Sequence, residues 1–342
     1  MGREQRIALI QQIEQQRGSF VITYLTNTRA GLEVPMAMDI IRKFYEHLVL
    51  FQNENPIKNK IELFIVSNGG DGIVPWRLVT LIRTYVDEFN VLIPYRAFSA
   101  ATLTALGANH IFMHPMGMLG PTDPSVYSPY NPDNPQAPGQ KLPISVEDVT
   151  SYVTLVKEDF GIRHEDELIE SVKALTDKVH PLALGSVKRS LAQSKMIAEK
   201  LLKLHMHEDQ QHKIDGIIEN LTSKLFFHGH PINRKEAKEE IQLPIEDRNP
   251  ELENLIWNLY CDYENEMKSD EVPFNPLNEL IAGSINSQMG VPVTVSPSFK
   301  LAYIESKGRS DYVQVDYKIT GVKQPNGYQL FPPLVTTIWH HQ

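Results

Sequence analysis

The sequence predicts an α/β fold, on three observations. Strand-like and helix-like segments alternate with short connections over residues 19–120, the pattern of a parallel sheet covered by helices. Residues 145–227 carry apolar residues at helical spacing, and the tail from about 292 reads as strands separated by turn signals. The expected architecture is a strand–helix core, a helical arm and a small C-terminal antiparallel β extension.

In order along the chain, Ile7, Leu9, Ile10 and Ile13 predict a helix over 3–17 that stops at Gly18. FVITYL at 20–25 is a strand, and a turn-rich stretch ending near Pro35 leads to an amphipathic helix over 36–51. IELFIV at 61–66 is a buried-type strand, broken at once by Ser67-Asn68-Gly69-Gly70-Asp71-Gly72. Pro75 suits a first helical turn, and that helix is expected to reach Glu88. NVLIPY at 90–95 and HIFMHP at 110–115 are strands, with a short helix of small residues from Ser99 to Ala108 between them.

Seven prolines then punctuate residues 120–144, which excludes a helix or a central strand and predicts a lid, a rim or a surface connection. Ser145-Val146-Glu147-Asp148 opens the arm with a capping-box pattern. Helices are expected over 145–159, 165–178, 183–205 and 209–226, a short one enters at Asn233, and another runs from Asn249-Pro250 to about Lys268. FKLAYIES, YVQVDYKIT and LVTTIW, parted by Lys307-Gly308 and Asn326-Gly327, supply two or three antiparallel strands. The expected division is a core with its arm over 1–245 and an extension over 246–342.

Composition narrows the function. The 342 residues are 42% hydrophobic and 22% charged, enough for a large core and inconsistent with wholesale disorder. A net charge of −9 argues against a protein that wraps nucleic acid or coats an anionic membrane. Cys261 stands alone, so no intramolecular disulfide and no cysteine metal cluster is expected. No apolar run approaches a membrane span or a signal-peptide core, and the expected setting is cytoplasmic.

Two features could carry chemistry. At Gly69 and Gly70 a strand ends and the chain turns toward a helix, a place where bare backbone N–H groups face outward and suit a phosphate or an oxyanion. The spacing matches neither a Walker motif nor G-x-G-x-x-G, and a plain tight turn is the ordinary alternative. Ser99 stands at the next strand-to-helix junction, where open α/β sheets place ligands, although a simple Ser N-cap explains it too. Since both features end neighbouring strands, one sheet edge can hold a hydroxyl and backbone donors together. His207-Glu208 with His212 is one residue too long for H-E-x-x-H, so His205, His207 and His212 are expected to face solvent and no metal is assigned.

The segments IELFIVSNGGDG and VLIPYRAFSAATLTALGANHIFMHPMGMLGPTDP, with LLKLH at 201–205 and HGHPINRKEAKE at 228–239, resemble the serine dehydrogenase proteinase group of the Clp-protease/crotonase superfamily. The resemblance, which spans about residues 18–245, implies a spiral core of repeated strand–helix units and an ATP-independent peptidase. It implies Ser99 as nucleophile and the N–H groups of Gly70 and Ala100 as oxyanion hole, with Gly69 shaping it. The histidine of Clp subunits would fall near Gly120, so that base is absent. The resemblance points instead to a lysine, as in signal peptide peptidases, and Lys188 opens the matching helix. His180, His228 and His230 are rival bases, and Asp123 could orient a base. The family implies a peptide or protein substrate and a homo-oligomer built through helical arms, with no cofactor. A crotonase-like acyl-CoA enzyme and an inactive scaffold on the same fold are the alternatives. Serine dehydratase chemistry would need pyridoxal phosphate, for which no lysine is assigned.

Overall fold

The computed structural model describes residues 2–54, 59–122, 125–126, 128–135, 139–224, 230–284 and 287–342. Its first half alternates α1 (Arg3–Arg17), β1 (Phe20–Thr26), α2 (Ile40–Glu54), β2 (Lys60–Val66), α3 (Val74–Ile82), β3 (Glu88–Ile93), β4 (Arg96–Ala97), α4 (Ala100–Leu106), β5 (His110–Met113) and β6 (Met118–Leu119). The proline-rich stretch contributes the short β7 (Ser125–Val126) and β8 (Ile144–Ser145). The arm and the helices after it comprise α5 (Val146–Thr154), α6 (Glu165–Thr176), α7 (Pro181–Leu202), α8 (Gln211–Glu219), α9 (Arg234–Glu239), α10 (Pro250–Met267) and α11 (Pro276–Gly283). Turns of π-helix extend α5 and α8. Five strands close the chain: β9 (Pro292–Val295), β10 (Ser298–Ser306), β11 (Arg309–Gln324), β12 (Gly327–Leu330) and β13 (Leu334–His341).

One sheet of nine strands organises the molecule. β1, β2, β3 and β5 lie parallel and adjacent in that order. β10 pairs antiparallel with β1, so the C-terminal strands continue the core sheet. Buried residues alternate between its faces: Phe20, Ile22 and Tyr24 pack with α2, α3, α4 and α7, while Val21 and Leu25 pack with α1 and α10. These strands are covered on both faces, which is why they read as continuous apolar runs. The arm has a separate small core of Ile144, Val146, Ala183 and Val187, and α6 buries none of its residues.

Several boundaries differ from expectation for identifiable reasons. The second helix starts at Ile40 rather than 36, because Met36 pairs with the glycine turn: its N–H donates to Gly69 O at 2.8 Å and its carbonyl accepts from Asp71 N at 2.9 Å. The third helix ends at Ile82, and Arg83 leaves it to donate to the carbonyl of Gly107. The extension has five strands, not two or three; β9 and β12 are four residues each and pair only with the far half of β11. Among the described residues no helix is long and apolar enough to cross a membrane.

Candidate active site

A second, very short sheet stands on the carboxyl ends of the parallel strands. It runs from Met36 to Gly70, from Ser67 to Ala97, from Ala97 to Leu119 and from Leu119 to Ile232. Each strand–helix unit thus leaves the main sheet, adds one or two residues to this layer and turns into its helix. Phe98 N–H donates to Ser67 O and Ser67 N–H to Arg96 O, both at 2.9 Å. That pairing brings the glycine turn alongside Ser99.

The approach is close enough that only glycine fits. A Cβ on Gly69 would lie 2.7 Å from both Phe98 O and the Ser99 Cβ, and 2.9 Å from Ala100 N; Gly69 also holds φ +95°. A Cβ on Gly70 would meet Met36 backbone atoms at 2.3 and 2.4 Å. The Gly69 N–H is occupied, donating to Ser67 Oγ at 3.0 Å, and Ser67 Oγ also accepts from Thr26 Oγ1 at 2.9 Å. No acceptor for the N–H groups of Gly70 and Ala100 occurs among the described residues. Ala100 opens α4, where helix geometry leaves the first N–H groups unused and partially positive.

Ser99 precedes α4 but does not cap it: no hydrogen bond joins its side chain to the helix. The ordinary Ser N-cap explanation therefore does not apply. Its backbone sits at φ 52°, ψ −113°, a region that costs a non-glycine residue about 1–3 kcal/mol. A tight strand-to-helix turn of this kind also holds the serine of a G-x-S-x-G elbow off its helix. Ser99 is half-buried and reachable from solvent. Thr102 braces the turn, its Oγ1 lying 2.7 Å from Ala97 O and 2.9 Å from Gly120 O and accepting Gly120 N–H at 3.1 Å. A Cβ on Gly120 would stand 3.0 Å from the Phe98 ring, so a side chain there would have to push that ring aside.

α7 runs beside α4 in the same direction. Leu201 packs where a Cβ on Gly107, just past α4, would lie 3.1 Å from its methyl. Ser194 Oγ donates to Thr122 O at 2.6 Å, two residues beyond the Gly120 that touches Phe98. Ser194 and its neighbour Lys195 thus lie on the stretch of α7 that meets Thr122, seven residues before the Leu201 that packs at Gly107. Lys195 is half-buried. Lys188 is exposed and lies two helical turns, about 10 Å, farther toward the arm. His180 is farther still: as N-cap of α7 its Nδ1 accepts from Leu182 N at 3.2 Å, and its ring stacks on Tyr130 at 4.9 Å. His230 lies two residues before Ile232, with Nε2 at 2.7 Å from Glu236 Oε1. Asp123 and His228 lie outside the described residues.

His205, expected to face solvent, is instead half-buried, its Nε2 2.9 Å from Leu106 O, where it ties the end of α7 to the end of α4. Burial pushes its pKa down, although the Leu106 carbonyl favours the protonated ring. His207 and His212 are exposed. Among the described residues no group of three or more His, Cys, Asp or Glu is placed to hold a metal ion.

Residues 2–183 match the family described as ClpP-like SDH-type serine proteinase. The chain belongs to that family. Among curated proteins it is 24% identical over 257 residues to the uncharacterized protein MJ0137 of Methanocaldococcus jannaschii, covering 75% of this chain and 78% of that one. Against MJ1495 of the same organism it is 28% identical over 123 residues, or 35% of this chain and 42% of the other. Two structures of the 1510-N membrane-bound stomatin-specific protease align with TM-scores of 0.37 and 0.39 at 12% and 13% identity. They cover 68% and 73% of this chain and 82% and 81% of theirs, and the second is in complex with a substrate peptide.

For this SDH-type serine proteinase, sequence reasoning missed the groups that hold the site together. Ser67 and Thr26 fix the glycine turn, Thr102 fixes the Ser99 turn, and Ser194, beside Lys195, donates to Thr122 O. A signal for Lys195 exists in the sequence: it lies seven residues after Lys188, on the same helical stripe.

Proposed function

We propose that this serine peptidase cleaves peptide bonds without nucleotide, with Ser99 as nucleophile and the N–H groups of Gly70 and Ala100 as oxyanion donors. The observation that carries the reading is the contact of Gly69 with a Ser99 held off its own helix cap. Ser99 Oγ attacks the substrate carbonyl carbon and gives up its proton to a base. The oxyanion forms against the two amides, and collapse expels the amine, which takes up that proton. Water then releases the acyl group by the reverse sequence.

Lys195 is the favoured base, ahead of Lys188, because its neighbour Ser194 meets Thr122, two residues beyond the Gly120 that packs on Phe98. A lysine serves as base only in its neutral form. The His230–Glu236 pair supports a second reading, since a carboxylate on one ring nitrogen orients an imidazole to accept a proton at the other. The substrate is a peptide or protein, and the single Cys261 fits a reducing, cytoplasmic compartment.

The experiment compares fluorophosphonate labelling and peptide turnover of the unaltered protein with Ser99→Ala, Lys195→Ala, Lys188→Ala and His230→Ala. Loss of label and turnover in Ser99→Ala and Lys195→Ala, with both largely kept in the other two, is expected. Full turnover by Ser99→Ala would end the peptidase reading, and turnover of an acyl-CoA thioester by that variant would favour the crotonase alternative. Full turnover by Lys195→Ala would move the base to Lys188 or His230.

A further inference from the structure

The two ends of the nine-stranded sheet are finished differently. At one end β5 is covered: Ile111 N–H donates to Pro244 O at 3.0 Å, and its carbonyl accepts from Glu246 N at 2.9 Å. At the other end lies β13, paired along its whole length with β11. Among the described residues no strand pairs with its outer edge. Natural sheets blunt such an edge with lysine, proline, a bulge or a very short strand. Here Leu334–His341 runs eight residues, about 27 Å, with no charged residue and no proline.

The surface around it has the composition of an interface. Residues 324–342 contain no Asp, Glu, Lys or Arg, in a chain that is 22% charged. Within that run Leu334 is 68% exposed, Ile338 51%, Val335 50%, Phe331 42% and Leu330 38%. Depletion of charge with exposed large apolar groups marks the centre of an association surface. In a protein of net charge −9 it is also a face on which two copies approach without local repulsion.

We propose that β13 is the seam of a symmetric homodimer, in which the edge of one protomer pairs antiparallel with the same edge of a second copy. An antiparallel edge is self-complementary under a two-fold axis, because rotation presents each donor to the matching acceptor. Centred on Thr336, the pairing sets Leu334 of each copy opposite Ile338 of the other, two apolar cross-strand pairs on one face. Val335 falls opposite Thr337 on the other face. In this register Leu334–Ile338 of the two copies overlap, and a five-residue ladder supplies about five main-chain hydrogen bonds, about half of those in an ordinary interface. The two sheets become one across the paired segment.

Sedimentation velocity on the full chain tests this. The unaltered protein is expected as a dimer, and Leu334→Lys with Ile338→Lys as a monomer, with a dissociation constant raised about a hundredfold or more. Both side chains are at least half exposed, so the unfolding midpoint and fluorophosphonate labelling should not move. As an independent check, Thr336→Cys in a Cys261→Ser background should form a cross-linked dimer under mild oxidation, since opposed Cα atoms lie within disulfide range. A monomeric unaltered protein, open-ended oligomers, a dimer indifferent to the two lysines, or no cross-link at position 336 would overturn the proposal.

Discussion

The two halves of the central sheet solve different problems. Around Ser99 the parallel half, β1 to β3 with β5, is joined by main chain and apolar packing, and its glycine turns leave no space for side chains. Its buried charge, Glu62 of β2 with Arg17 of α1 at 2.9 Å, lies at the opposite end of the strands. The antiparallel half is clamped to the core by buried charge. Arg6 on α1 donates to Glu305 of β10 at 2.7 Å and to Asp262 of α10 at 3.0 Å, and Tyr263 donates to the same Glu305. Nearby, Asp311 of β11 accepts from Arg309 and lies 3.2 Å from Nε2 of His47 on α2. Backbone contacts fix positions to fractions of an ångström, whereas ion pairs fix which elements meet. The half that holds Ser99 uses the former.

The largest effect that would sharpen this contrast is at Glu305. Its loss in Glu305→Ala leaves the buried Arg6 with Asp262 as its remaining carboxylate, and removing one partner of a buried ion pair costs about 3–5 kcal/mol. Urea unfolding should show that loss while fluorophosphonate labelling of the folded fraction is unchanged. Equal loss of labelling would break the separation of the halves. Next comes Gly69→Ala, which pushes a methyl into the Ser99 turn. Turnover should fall about a hundredfold or more, with a smaller change in unfolding midpoint. Thr102→Val leaves the Gly120 N–H without its acceptor and should cost about 1–2 kcal/mol, with a drop in turnover rather than in substrate KM.

The smallest effects concern pH, and the halves should respond in different ranges. His205, in the parallel half, is held below its ordinary 6.5 chiefly by burial. The unfolded chain then binds the extra proton first, so stability falls as pH drops below 6.5. His205→Gln should remove that phase. Asp311 behaves oppositely in origin: burial raises its pKa, but hydrogen bonds from His47 and Arg309 outweigh burial and hold it well below its ordinary 3.8. Its contribution is complete above that value and is lost as pH falls below it. Thermal melts across the acid range of Asp311→Asn should show a flatter decline there.

How much of this is legible in the sequence depends on segment length. IELFIV and its neighbours announce buried parallel strands, and the juxtaposition of Gly69 with Ser99 comes from their adjacency. The second sheet does not show, because strands of one or two residues carry no period. The start of α2 is displaced for the same reason, since Met36 looks helical by pattern but is drawn into that layer. α11 escapes notice despite a visible signal: Asn275-Pro276 repeats the cap of Asn249-Pro250, and both asparagines accept a hydrogen bond from the third or second residue on. The insertion of β10 beside β1 joins residues about 280 apart, and nothing local encodes that pairing. Lys195 does not stand out because position along a packed helix is a tertiary property.

The packing of Gly120 against Phe98 has a bearing on how the protein is made. With a glycine and not a histidine at that position, the proposed site draws its proton acceptor from a helix encoded some ninety residues after its nucleophile. A nascent chain that has emerged as far as the sixth strand carries the hydroxyl and the amide cradle but lacks the partner that arms them. On that proposed assignment, cleavage competence is expected only once the helix bearing Lys195 has been made and packed beside α4.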